Sequence, residues 1–241
     1  MNILALDTSS RAASCAILRD GALAGEFFIN IGLTHSQTAM PMVEKLLEQT
    51  MIQLNDIDVF AICTGPGSFT GLRIGISCVK GMAMAANKPC AGVPTLMALA
   101  GGVCLFEGYV CPVMDARRGQ LYTSLFESAG GRLRRLREDE AISISELGEI
   151  LRELSSRVML VGDGAQLCME ELCEIKSLRI APERFLHQRA SAVADIAYGM
   201  AQKGELTSPG DLAPSYLRLP QAERERLGHL EIKKGRLHNE Q

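Results

Sequence analysis

The chain has no tryptophan, and aromatic residues make up only 5% of its 241 positions. No apolar run reaches the roughly 18 residues that a membrane-spanning helix needs, so no span is read and no membrane partner is expected. The start, Met1-Asn2-Ile3-Leu4-Ala5-Leu6-Asp7, lacks the basic segment and long apolar stretch of a secretory leader. A cytoplasmic location is the expectation. The net charge of −3 gives no global pull toward nucleic acid or anionic lipid, so any RNA contact needs a local basic patch or a partner's surface. The cysteines at 15, 63, 78, 90, 104, 111, 168 and 173 include no Cys-x-x-Cys pair. They read as free, mostly buried thiols rather than a disulfide framework. Cys168 and Cys173 have no nearby histidine, so no zinc site is expected there. The only histidines are His35, His187, His229 and His238, and no Ser-His-Asp or Cys-His set has a recognisable spacing.

What is present is an ordinary globular balance, 47% apolar and 22% charged, in a chain long enough to bury a large core. Residues 3–7, 13–18 and 24–30 read as a three-strand meander with turns at Ser9-Ser10-Arg11 and Asp20-Gly21. Helical spacing follows from His35 to Met51, with Pro41 expected in the first turn or at a kink. A strand at 58–63, a helix at 69–86 ended by Asn87, a strand at 90–93 and a helix after Pro94 complete the first half. After Gly108 the grammar restarts. Strands are expected at 109–114, 121–126 and 132–136, helices at 144–154, 166–173 and 191–203, and a strand at 158–161 that ends in Gly162-Asp163-Gly164. The expected class is α/β, built from two β-β-β-α-β-α halves at 1–105 and 106–220, with a ligand cleft between them. The charged tail at 221–241 reads as a solvated helix or disorder.

The most informative stretch is Gly65-Pro66-Gly67-Ser68-Phe69-Thr70-Gly71-Leu72-Arg73-Ile74-Gly75, a glycine-rich turn between a strand and a helix N-terminus. Free backbone N–H groups at such a turn can hold an anion, and a tight turn without ligand uses the same residues. Both readings of Gly65 and Gly67 stand at this point. On the helix that follows, Gly71, Gly75, Cys78 and Met82 form a stripe of small and apolar residues. Leu72, Ile76, Val79 and Ala83 form another. If one stripe faces the sheet, the other can admit a partner helix, joined by Met40, Val43 and Leu47 from the preceding helix.

These residues resemble the TsaB family, also called YeaZ. The resemblance rests on Leu4-Ala5-Leu6-Asp7-Thr8-Ser9, His35-Ser36, the whole of 65–75, Lys80-Gly81 and Asp115-Ala116-Arg117-Arg118-Gly119-Gln120-Leu121-Tyr122. It is strong over about residues 1–125 and continues by element order beyond. It implies the duplicated actin-like/Hsp70-like/sugar-kinase (ASKHA, ribonuclease H-like) fold. It also implies a part in placing a threonylcarbamoyl group on the tRNA adenosine next to the anticodon. In that system the transfer belongs to a paralogous TsaD-like subunit, and a TsaE-like ATPase completes the set. TsaB-like chains are regarded as scaffolds, so the implied partners are the TsaD-like subunit, the TsaE-like ATPase, a second copy of the chain, and tRNA only through the complex. ATP or ADP with magnesium is implied at the level of the complex.

TsaD-like subunits carry a metal-binding His-x-x-x-His pair on the helix after the fifth strand. The matching positions here are Thr95 and Leu99, which do not bind metal as imidazole does. The implied chain is a subunit without catalysis or metal of its own. The competing reading is an independent ATP-using enzyme of the sugar-kinase type, with Asp7 handling magnesium-nucleotide and Gly65, Gly67, Asp163 and Gly164 handling phosphate. Asp7 and Asp163 also suit plain turns. His35 reads as a base or part of a helix start, and Arg117 and Arg118 as contacts to phosphate or carboxylate or as a solvated turn.

Overall fold

A computed structural model describes residues 1–218; the tail expected at 221–241 lies outside the described residues. The first half forms β1 (Asn2–Asp7), β2 (Ala13–Arg19), β3 (Ala22–Ile29), α1 (His35–Thr50), β4 (Val59–Gly65), α2 (Phe69–Ala86), β5 (Cys90–Pro94) and α3 (Thr95–Gly101). The second forms β6 (Gly108–Arg117), β7 (Gln120–Ala129), β8 (Arg132–Ser143), α4 (Ile144–Arg152), β9 (Val158–Val161), α5 (Ala165–Glu171), β10 (Leu178–Ile180) and α6 (Ala190–Lys203). The sheets are ordered β3-β2-β1-β4-β5 and β8-β7-β6-β9-β10. In each, three strands pair antiparallel, the central strand pairs parallel with a fourth, and the fourth pairs parallel with the fifth. The two halves are one topology used twice, the duplicated arrangement of the actin-like and sugar-kinase fold.

Strand alternation distributes the core. On β1, Leu4 and Leu6 point to one face and pack with Ile17, Phe60 and Ile62 against Val43, Leu46, Leu72 and Val79 of α1 and α2. Ile3 and Ala5 point to the other and meet Ala61, Ala91 and Val93 against Ala190, Val193, Ala194 and Ala197 of α6. Burying each large aliphatic contributes about 1.5–3 kcal/mol. The second sheet divides in the same way. Cys111, Val113 and Leu160 pack under Leu147 and Leu151 of α4 and Cys168 of α5. Val110, Met114 and Phe126 pack under Leu96 and Leu99 of α3.

The last of the described helices, α6, therefore covers the first sheet, while α3 from the first half covers the second. A division at residue 105 falls between α3 and β6, and the packing crosses it. The segment after α6 returns to the first lobe as well: Thr207 exchanges two backbone hydrogen bonds with Cys90, at 2.8 and 2.9 Å. Leu212 is buried in the first core.

Several boundaries differ from expectation. Pro41 lies in the second turn of α1 and is exposed. β6 and β7 run on into the Asp115–Gln120 turn, which shrinks to a tight hairpin with Arg117 and Arg118 at φ 64° and 58°. β8 continues to Ser143 because Arg134 pairs with Glu127, Arg135 with Asp139 and Arg137 with Glu140, so a highly charged run is held as an edge strand. The short strand β10 has no sequence signal of its own. Five cysteines are buried, Cys78 and Cys104 are half-buried, Cys173 is exposed, and all are free.

Candidate functional site

The loops named in the sequence cluster at the ends of the central strands, and each lobe uses its own. Asp7 ends β1 and is 1% exposed. Its Oδ1 accepts from the Ser9 N–H at 3.1 Å, and the Ser9 hydroxyl approaches both carboxylate oxygens at 3.1 and 3.0 Å. The Cys63 thiol lies against the same carboxylate. Burial raises the Asp7 carboxyl above its ordinary value, against the opposing pull of these hydrogen bonds, and burial with the Asp7 charge raises Cys63. A side chain so enclosed serves a turn directly.

The β4–α2 loop is similarly committed. Gly65 has φ 133°, and the Ser215 carbonyl occupies the space a Cβ would need. The Ser68 N–H, which an anion would use, donates to the Ser9 carbonyl at 2.7 Å. A Cβ on Gly67 would be driven into that carbonyl. Ser68 caps α2, its hydroxyl accepting from the Gly71 N–H at 3.2 Å. The glycine-rich turn thus closes on the chain's own carbonyls.

His35 joins the same cluster. Its Nε2 meets the Ser10 carbonyl at 2.8 Å, so Nε2 carries the proton and Nδ1 is a buried lone pair without a partner. Its Cδ2 edge lies close to Gly71. His35 therefore fastens the β1–β2 turn between the first turns of α1 and α2.

In the second lobe, Asp163 Oδ1 accepts the Asp115 N–H at 3.0 Å, and Asp115 Oδ1 accepts the Arg117 N–H at 2.7 Å. Burial raises the Asp163 carboxyl, and the neighbouring Asp115 charge adds to that rise. Gly164 donates its N–H to Val113 O at 3.1 Å. Asp7 and Asp163 are each tied within their own lobe. Thr95 and Leu99 of α3 are buried, and the Thr95 hydroxyl lies against the Cys63 thiol. Among the described residues no group of three or more His, Cys, Asp or Glu side chains could hold a metal ion.

The expected partner stripe needs correction. Gly71, Gly75, Val43 and Met82 are buried in the chain's own first lobe. Thr8 sends its hydroxyl to the Gly71 carbonyl at 2.8 Å, and a Cβ on Gly75 would collide with that hydroxyl. The glycines admit the chain's own β1–β2 turn. Met40 is 42% exposed, and Leu47 and Cys78 are half-buried. The solvent face of α2 instead carries Thr70, Arg73, Ile74, Ser77, Cys78, Gly81, Met84 and Ala85. Its charges are Arg73 and the half-buried Lys80.

Two residues were not singled out by the sequence. Gln188, 2% exposed, accepts from the Ser10 hydroxyl at 2.8 Å and donates to Met114 Sδ at 3.5 Å, joining the lobes. Glu26 receives Arg189 at 2.9 Å and the Ser191 N–H and hydroxyl at 3.0 and 2.9 Å, capping α6. Their partners lie more than 70 residues away in sequence, so no local spacing marks them.

Fold and site together define a duplicated α/β protein of the actin-like and sugar-kinase class whose glycine loops are closed by its own backbone. The TsaD family model, described as tRNA N6-adenosine threonylcarbamoyltransferase, matches residues 32–204. A Bacillus subtilis protein named tRNA threonylcarbamoyladenosine biosynthesis protein TsaB is 30% identical, over 92% of this chain and 96% of its own length. The Escherichia coli protein of that name is 34% identical over 90% and 95%. A solved structure from Pseudomonas aeruginosa, titled as similar to peptidase YEAZ, superposes with a TM-score of 0.77 at 25% identity, over 90% of this chain and 99% of that one. The chain belongs to the TsaB family, within the group that the TsaD model describes.

Proposed function

We propose that the chain serves tRNA threonylcarbamoyladenosine biosynthesis as a non-catalytic subunit that binds and supports a TsaD-like catalytic subunit. The observation that carries this reading is the solvent face of α2, where Ile74, Ser77, Cys78, Gly81, Met84 and Ala85 offer small and apolar surface, with Met40 exposed in the second turn of α1 and Met51 exposed at its C-terminus. Two helices presenting such a surface fit a second helix pair at close range, building a four-helix contact. The same face can join two copies of the chain when the catalytic subunit is absent. A burial of Thr95 and Leu99 where TsaD-like chains place metal ligands supports assigning the transfer to the partner. Nucleotide and magnesium then belong to the complex, with the TsaE-like ATPase, and tRNA meets this chain only through the assembly.

The kinase-type reading would need the glycine loops open to phosphate, and the Ser68 N–H is already engaged with Ser9. The test is threonylcarbamoyl-adenosine synthesis on unmodified tRNA in a reconstituted mixture, with this chain included, omitted or supplied alone. Product only in the presence of both this chain and the TsaD-like subunit is the expected result. Product unaffected by omission, or formed by this chain alone, overturns the assignment.

A further inference from the structure

Phe69, Arg73 and Lys80 lie on α2, outside both the glycine loop and the core. All three are engaged by residues 207–216. The Lys80 ammonium donates to the Gly210 and Leu212 carbonyls at 3.0 and 3.1 Å. Ser215 N–H donates to Thr64 O at 2.7 Å. The Tyr216 ring lies against Phe69 with centroids 5.2 Å apart, and its hydroxyl accepts from Arg73 Nε at 3.1 Å. The Arg73 guanidinium sits 3.9 Å from the centre of the Phe69 ring. At the far end, Arg218 donates to the Ala116 carbonyl of the second lobe at 3.4 Å.

We propose that residues 207–218 form a strap whose task is to orient Arg73 as the charged contact of the α2 face, opposite a carboxylate on the partner helix; this rests on the interface reading above. Arg73 and Lys80 are the two charges of α2, and the Lys80 ammonium is already engaged by the strap carbonyls. Left alone, the long Arg73 side chain would sweep across the apolar stripe and lose rotamer freedom on docking. Stacked on Phe69 and held at Nε by Tyr216, the guanidinium is already ordered. Its terminal nitrogens have no partner among the described residues, so a two-point pairing with a carboxylate remains open to them. Lys80 and Leu212 anchor the strap that carries Tyr216, which makes Lys80 a positioning residue.

The experiment measures binding of the full chain to the TsaD-like subunit at two salt concentrations, for wild type, Arg73→Ala, Lys80→Met and Met84→Glu. Arg73→Ala is expected to weaken binding about tenfold and to remove most of its salt dependence. Lys80→Met, which keeps Arg73 and the apolar residues of the face, is expected to weaken binding by a smaller factor and to speed amide hydrogen exchange at residues 68–73. Wild-type affinity and salt dependence in Arg73→Ala, with Met84→Glu abolishing binding, overturns the strap proposal and keeps the interface. Wild-type binding by Met84→Glu overturns the interface itself. Unchanged exchange at 68–73 in Lys80→Met removes the strap from the orientation of Arg73.

Discussion

Gly75 and Gly81 are both interior to α2, and exchanging each for alanine separates inward from outward small residues on one helix. Alanine in a helix interior is favoured over glycine by about 0.8–1 kcal/mol, a gain shared by the two variants. At Gly81 a Cβ meets nothing within 4 Å, so that gain is realised and Gly81→Ala is more stable than wild type. At Gly75 the Cβ would strike Thr8 Oγ1 and press on Ile62 Cδ1 at 3.0 Å. Thr8 cannot yield without breaking its 2.8 Å bond to Gly71 O. Overpacking of this kind costs about 1–3 kcal/mol. The propensity term cancels between the variants, so Gly75→Ala is expected to lie about 1–3 kcal/mol below Gly81→Ala. For a chain of this length each kcal/mol moves the melting midpoint by about 2–4 °C. Urea unfolding, compared at equal slope and a concentration that keeps the chain monomeric, measures the difference. Equal stability of the two variants would refute the inward placement of the Gly71–Gly75 stripe. The association assay runs the other way: Gly81→Ala adds a methyl group to the outward face, so it is expected to stabilise the monomer yet weaken partner binding.

Thr95→Val replaces a buried hydroxyl that leans on the Cys63 thiol, a weak hydrogen-bonding group, by a methyl group, and a stability change of no more than about 1 kcal/mol in urea unfolding is expected with tRNA modification unchanged. Asp7→Asn removes a carboxyl whose pKa burial raises from 3.8. The wild-type contribution is full below that value and declines as pH rises through the higher folded pKa, so the stability difference should shift in favour of the variant as pH is raised, read from urea midpoints across the acid range. Glu26→Ala strips the cap from α6 and leaves Arg189 without its carboxylate, and a loss of about 1–3 kcal/mol is expected by the same assay. Wild-type stability would show that another group supports the start of α6.

The duplicated architecture was legible because the meanders and amphipathic helices repeat, and α2 was read at its full extent from Phe69 to Ala86. Its periodicity separated two stripes, yet most of both is buried in the chain's own first lobe. It could not tell which neighbour a glycine serves, since small residues admit any close approach. Thr8, 63 residues from Gly71, decides that question in three dimensions. The charged run from Arg135 to Glu140 hid most of β8, because ion pairs along and across strands compensate what composition alone assigns to solvent. The strap at 207–218 has no regular period, and it is recognised only through what Lys80 and Arg73 reach.

The glycine loops carry the broader argument. Gly65 and Gly162 end equivalent strands of the two sheets, with φ 133° and 120°. In each, a carbonyl fills the place a side chain would occupy, Ser215 O at the first and Val113 O at the second. Beside them, Ser68 N–H donates to Ser9 O and Gly164 N–H to Val113 O. Glycine is required at both points by these approaches alone, without any phosphate. A duplicated fold can therefore retain its glycine punctuation after the loops have been turned to holding the chain together. Whether such a loop has donors to offer depends on which atoms already occupy them, and that is a property of geometry rather than of the motif.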